Sequence, residues 1–206
     1  MSAAKSEEPT LLEGIEPASV RALMAAGIEC FADKGFNATT TRDISARAGF
    51  SPAAVYVHFP SKADLLFATS RLGHESALKV LEEAPGDEED PAHRIELMVA
   101  AFAAWHARNN RLARVVQYEG RALPAKHRAE INAVKERFQR CVESELEAGI
   151  AAGQITAPDV PGTALAILSL CIDVARWYSP SRDRSPEQVG ALYSELMLRM
   201  LGATPA

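Results

Sequence analysis

Residues 39–66 read TTTRDISARAGFSPAAVYVHFPSKADLL, and almost every element boundary in this stretch is written in short-range chemistry. Thr40 is placed as an N-cap: its hydroxyl can accept from the amide three residues on while Asp43 reaches back, a capping box with Asp in place of Glu. The helix that follows turns Ile44 and Ala48 inward. Gly49 then supplies the left-handed backbone that other residues avoid. Ser51 and Pro52 restart the chain as N-cap and first helical position. A short helix from Pro52 to about Phe59 sends Val55 and Phe59 to the core, with Phe50 assigned there too. Ser61 and Asp64 form a further capping box, opening a long helix through Leu65, Leu66, Leu72 and Leu78 to about Glu83. Helix, tight turn, short helix, long helix is the outline of a helix-turn-helix.

Upstream, residues 1–16 are polar and without sustained period, which reads as a flexible arm. From Pro17 on, Val20, Leu23, Met24, Gly27, Ile28 and Phe31 recur at helical spacing, and Gly35 ends that helix. Small Ala26 and Gly27 suit the close approach of a neighbouring helix. Downstream, APGDEEDP (84–91) reads as a loop. Helices follow around Ile95–Trp105, around Leu112–Tyr118, and from Pro124 through Ile131, Phe138, Cys141 and Leu146 to Gly153. A segment from Gly162 to Tyr178 is apolar nearly all round and so is expected to be buried on two sides. A last helix begins at Ser185 and Pro186 and carries Val189, Leu192, Tyr193, Leu196, Met197 and Met200. The expectation is an all-α protein of about nine helices, divided into an arm (1–16), a helix-turn-helix domain (17–64) and a larger helical domain (65–206).

Composition narrows the function. Of 206 residues, 48% are hydrophobic. With no apolar run read as long enough to span a bilayer and no leader at the amino end, no membrane partner and a cytoplasmic location are expected. Cys30, Cys141 and Cys171 are odd in number and widely separated, and read as buried apolar thiols rather than disulfides. The five histidines show no metal-ligand spacing, so neither a metal nor another cofactor is expected. No Ser-His-Asp order, nucleophile elbow or phosphate loop is recognisable, and no catalytic residue is assigned. The net charge of −5 would repel nucleic acid if spread evenly. Within residues 17–70, however, Arg21, Lys34, Arg42, Arg47 and Lys62 outnumber the acids by one, and phosphate contacts depend on placement rather than total.

The outward face of the short helix, Ser51, Ala53, Ala54, Tyr56, Val57 and His58 behind Pro52, fits a major groove about 12 Å wide. Ala53 and Ala54 allow close entry and contact with thymine methyls. Thr41 and Arg42 can reach phosphate or a guanine edge, while Arg47 reads as solvated or ion-paired rather than as a contact. One such short reader is weak, so a homodimer on a palindromic double-stranded operator is the economical solution.

A helix ending at DKGF and followed by residues 39–66 resembles the N-terminal DNA-binding domain of the TetR family of transcriptional repressors over about residues 17–70. The resemblance implies that Tyr56, Lys62 and His58 hold phosphates. It also implies that the last two helices form a four-helix dimer interface, the alternative being that both stripes are internal core. A small-molecule effector is then expected in the middle helices. Candidate wall residues are Phe102, Trp105, Val116, Tyr118, Phe138 and Cys141, which could equally be plain core. Two polar clusters stand in apolar surroundings: Gln117, Tyr118, Glu119 and Arg121, and Asp173 with Arg176, which must pair, bind ligand or reach solvent.

The run Arg176, Trp177, Tyr178, Pro180, then Ser185, Pro186, Glu187 and Tyr193, resembles the branch of that family that represses fatty-acid or steroid catabolism. That likeness implies an acyl-CoA effector, with Arg176 and Trp177 at its site. No Gly-rich loop or dense basic cluster to hold the CoA phosphates is visible. The competing reading, from a different class, is a helical carrier or enzyme that kept this fold without operator binding.

Overall fold

The computed structural model describes residues 11–181 and 184–203. Among these the chain is helical throughout: α1 Ala18–Ala38, α2 Thr41–Ala48, α3 Pro52–His58, α4 Lys62–Glu83, α5 Pro91–Arg108, α6 Asn110–Glu119, a 3-10 turn Gly120–Ala122, α7 Ala125–Ala151, α8 Val160–Trp177 and α9 Pro186–Met200. The all-α architecture and the helix count agree with the sequence reading.

The start signals act largely as their chemistry dictates. Thr40 and Asp43 form the reciprocal box, and the Thr40 amide and hydroxyl hold the Asp43 carboxyl down to about 2. Gly49 is left-handed at φ 77°, ψ 23°. Two details differ. The Ser51 hydroxyl makes no capping bond; Pro52 at the first helical position has no N–H to satisfy, and the fixed φ of its ring suffices. At α4, Ser61 accepts from the Asp64 amide, but the Asp64 carboxylate takes the Ser61 hydroxyl at 2.7 Å, so only half of the expected box forms. The first helix does break at Gly35 (φ 77°, ψ 163°), with one further turn reaching Ala38.

Two apolar clusters make the core. The first joins α1–α4 around Leu23, Phe31, Ile44, Val55, Leu65 and Leu66, but it also takes in Leu112, Val115, Leu123 and Ile131 from α6, α7 and the turn between them. The boundary drawn at residue 64 is therefore crossed by one continuous core. Residues 1–10 of the expected arm lie outside the described residues, whereas Leu12 is buried, with Leu11 and Ile15 packed beside it. That segment is thus a docked turn, because three apolar side chains offset the cost of ordering it. Close approach of α1 and α4 is real: a Cβ on Gly27 would lie 2.4 Å from Leu65 Cδ2.

The second cluster is built by α4, α5, α7, α8 and α9 around Phe102, Trp105, Phe138, Leu146, Ile167 and Leu198. Contrary to the sequence reading, α8 is an 18-residue helix apolar and long enough to cross a membrane by composition alone, yet it sits on α5, α6 and α7. It is buried on one side only. Ala164, Ile167, Leu168, Cys171, Val174 and Ala175 face inward, while Leu165 is 60% and Leu170 41% exposed. On α9, Val189, Met197 and Leu198 are buried, but Leu196 and Met200 are exposed.

Candidate functional site: a DNA-reading surface and a cavity between helices

The reading surface follows from how α3 is anchored. Val55 is fully buried and Phe59 nearly so, which leaves Ser51, Pro52, Ala53, Tyr56 and Val57 exposed and Ala54 half-buried. Val57, 76% exposed, is the most outward of the large apolar side chains of the helix. Tyr56 Oη lies 3.2 Å from Thr41 Oγ1, so the start of α2 and the middle of α3 present one joined polar edge. Arg42 is exposed beside it with no ion pair among the described residues. Phe50, assigned to the core, is instead 38% exposed. The backbone turn at Gly49, closed by the Phe50 amide on Ser45 O at 2.8 Å, carries it past the core.

Two of the expected phosphate contacts are held by the protein itself. His58 Nε2 is 2.8 Å from Ser19 Oγ, which ties it back to α1. Lys62 Nζ donates to Phe36 O and Thr39 O at 2.6 Å each and lies 4.2 Å above the Phe36 ring. The break at Gly35 frees carbonyls at the end of α1, and an ammonium is the natural cap for them. Arg47 is ion-paired as expected, 2.9 Å from Asp33.

Between α4, α5, α6, α7 and α8 lies a cavity of about 620 Å³. Of the expected wall residues, Phe102, Trp105, Phe138 and Asp173 line it, as does Val116. Tyr118 does not: next to Gln117 on α6, it is rotated away from the cavity and is 51% exposed. Cys141 is half-buried off the wall, with burial pushing its thiol up to about 11. Arg176 folds back one turn to chelate Asp173 with two 2.7 Å bonds, a surface pair that satisfies both charges locally. Trp177 stacks on Tyr193 at 6.3 Å and joins α8 to α9.

The sequence reading missed the polar lining: His74, His106, Lys135, Gln139 and Ser169, alongside the already noted Gln117. A test of histidines for metal spacing passes over His74 and His106. The signal that could have found them is helical spacing, since His106 lies one turn from Phe102. Both rings are buried, and burial pushes each down to about 4, so both are neutral.

A smaller annex of about 200 Å³ adjoins the cavity, with His74, Val116, Gln117 and Lys135 lining both. There Arg121 and Arg128 join Lys135, with Asn132 beside them. The basic cluster invisible in the sequence is thus assembled from the turn after α6 and one face of α7. Gly73 sets the α4–α6 spacing at this wall, where a Cβ would lie 3.1 Å from Val116.

The cavity is linked to the reader by one ion network. Arg111 on α6 holds Glu29 with two 2.8 Å bonds and Asp33 at 2.6 Å, both on α1, and Asp33 in turn meets Arg47 on α2.

Comparison with known proteins agrees with this geometry. Residues 23–69 match the family described as bacterial regulatory proteins, tetR family, and residues 88–201 match the tetracyclin repressor-like C-terminal domain. The chain is 30% identical over 200 residues to the HTH-type transcriptional repressor KstR2 of Mycolicibacterium smegmatis, covering 89% of this chain and 91% of that one. Its fold is similar to that of a bacterial regulatory protein of the tetR family from Rhodococcus RHA1, with TM-score 0.86, 40% identity, and coverage of 92% of this chain and 100% of the other. The same fold is seen in AibR solved with isovaleryl coenzyme A and operator DNA, with TM-score 0.78, 21% identity, and coverage of 86% and 97%. The reader, the helical domain behind it and these likenesses converge: the chain belongs to the TetR family of transcriptional regulators.

Proposed function

We propose that this regulator is a cytoplasmic, homodimeric repressor released from a palindromic operator by an acyl-CoA thioester. The observation that carries the effector class is an apolar cavity lying against a basic annex, with four lining residues in common, since an acyl chain needs the first and CoA phosphates need cations such as Arg121, Arg128 and Lys135. AibR, which shares the fold, was solved in complex with isovaleryl coenzyme A, which is in keeping with the class. Arg42, Thr41 and Tyr56, with Ser51, Pro52, Ala53 and Ala54, read the operator. Lys62 and His58 contribute only the hydrogen-bonding capacity that α1 leaves them. The exposed apolar stripes of α8 and α9, with Leu165, Leu170, Leu196 and Met200, pair with their copies. Occupancy spreads α4 and α6, and α4 and the Arg111 network carry the change to the reader, a shift between two arrangements that the effector binds unequally.

Dodecanoyl-CoA, coenzyme A and dodecanoic acid, titrated against Trp105 emission in a Trp177→Phe background, test this reading. The thioester should bind about tenfold or more tighter than either half and should free the protein from an operator selected from random duplexes. Dodecanoic acid binding as tightly as the thioester would remove the annex from the effector site. Failure to retain any duplex at low salt would sink the repressor reading. Leu165→Glu with Leu196→Glu should give monomers in sedimentation.

A further inference from the structure

The reading above leaves two buried groups of the cavity without a task. His106 Nδ1 is 2.8 Å from Phe102 O, and His74 Nδ1 is 2.8 Å from Ser70 O. A carbonyl oxygen can only accept, so in each neutral ring Nδ1 carries the proton and Nε2 presents a lone pair. Both rings line the cavity, at 5% and 8% exposure, and neither Nε2 has a protein partner among the described residues. No neighbour donates to either one, although Gln117, Lys135 and Ser169 line the same cavity. His106 is walled by the rings of Phe102 and Trp105, at 4.4 and 4.9 Å between centroids. The Gln139 amide is spent on Glu143 and Pro161 O, at 2.8 and 2.9 Å. A buried acceptor left unpaired is costly, and a purely hydrocarbon ligand would seal both of these away from water.

We propose, resting on the effector reading above, that the effector carries an O–H or N–H donor at the level of the apolar cavity, and that Nε2 of His106 and Nε2 of His74 accept from it. The donor has two chemical sources, a hydroxyl on the acyl body or an amide N–H of the thioester arm. In either case the two histidines set specificity: they reject a plain chain that fills the same volume. Because burial holds both rings near a pKa of about 4, the lone pairs are present at neutral pH.

Matched probes decide it. Dodecanoic acid is compared with its 3-, 6- and 12-hydroxy derivatives and with S-dodecanoyl-N-acetylcysteamine, whose donor is an amide N–H, by Trp105 emission in the Trp177→Phe protein. At least one donor-bearing probe should bind about tenfold tighter than dodecanoic acid, the scale of one buried hydrogen bond. His106→Phe keeps an aromatic ring and removes the acceptor, and should shrink that preference to about twofold or less. His74→Phe supplies the same test if the first variant does not fold. Preference for a hydroxylated probe assigns the donor to the acyl body, and preference for the amide probe assigns it to the thioester arm. Equal binding of all probes, or an undiminished preference in both variants, overturns the proposal and leaves the effector site standing. No binding by any probe also overturns the proposal, and the dodecanoyl-CoA titration then decides the effector reading separately.

Discussion

Replacing Arg111 by Met removes a guanidinium while keeping a long apolar stem, and the structure sets how much should be lost. Arg111 serves two carboxylates of α1, and its hydrogen bond is the chief reason that the Asp33 carboxyl lies below the usual range. The side chains of Arg111, Glu29 and Asp33 are 31%, 36% and 40% exposed, so solvent screening cuts each pair well below its buried value. Nor are the acids orphaned, because Arg47 remains 2.9 Å from Asp33 and 3.8 Å from Glu29. The expected cost is about 1.5 kcal/mol, the sum of two charge-assisted contacts of modest strength. For a chain of this length that is a fall of about 3–6 °C in Tm.

The functional consequence separates a staple from a transmission element. Arg111 leaves the same helix that lines the cavity through Ala113, Val116 and Gln117. If α6 passes effector occupancy to α1 through this network, up to about 1.5 kcal/mol of coupling disappears with it, roughly a tenfold smaller loss of operator affinity on adding effector. Fluorescence anisotropy of a labelled operator, with and without dodecanoyl-CoA, gives that ratio for both proteins. A variant that melts 3–6 °C lower yet keeps the wild-type ratio within about twofold would refute transmission by this route.

Three further outcomes are expected. Arg42→Ala should reduce the slope of log operator affinity against log salt by about one per reader, since one phosphate contact is lost, with melting unchanged; an unaltered slope removes Arg42 from the interface. Stability to urea should fall as pH drops from 6.5 towards 4: His74 and His106 are depressed to about 4 from 6.5, so the unfolded chain binds protons first in that window. His106→Phe should flatten that fall by about one proton's worth of slope. Gly190→Ala should destabilise by about 2 kcal/mol or more, because the added Cβ would lie 2.3 Å from the Ala100 carbonyl oxygen at the α5–α9 contact; calorimetry checks this.

The reader was legible because its boundaries are local: Thr40 with Asp43, Gly49, Pro52 and Ser61 each act within a few residues. What local chemistry could not show is where a side chain goes once helices meet. Lys62 caps carbonyls of a helix that ended far upstream, His58 turns to Ser19, and the Gly49 turn carries Phe50 outward. Periodicity told that Phe102, Trp105 and Phe138 face inward, but not that the space between them is open. His74, His106 and the annex cations were hidden for the same reason, since α4, α5 and α7 bring them together only in three dimensions. Cys141, Tyr118 and Trp177 were misplaced by treating an apolar or aromatic side chain near the right segment as a wall, when a rotation of one residue decides the matter.

Leu165 belongs to two surfaces at once: it lines the cavity and stands 60% exposed on the outer stripe of α8. Pairing of copies through that stripe would put a second chain over part of the cavity's own wall. Entry and exit of the effector would then be gated by subunit exchange, and the off-rate would slow as protein concentration rises. A regulator built this way would respond promptly when scarce and hold its signal when abundant, so its kinetic memory would be set by its own expression level.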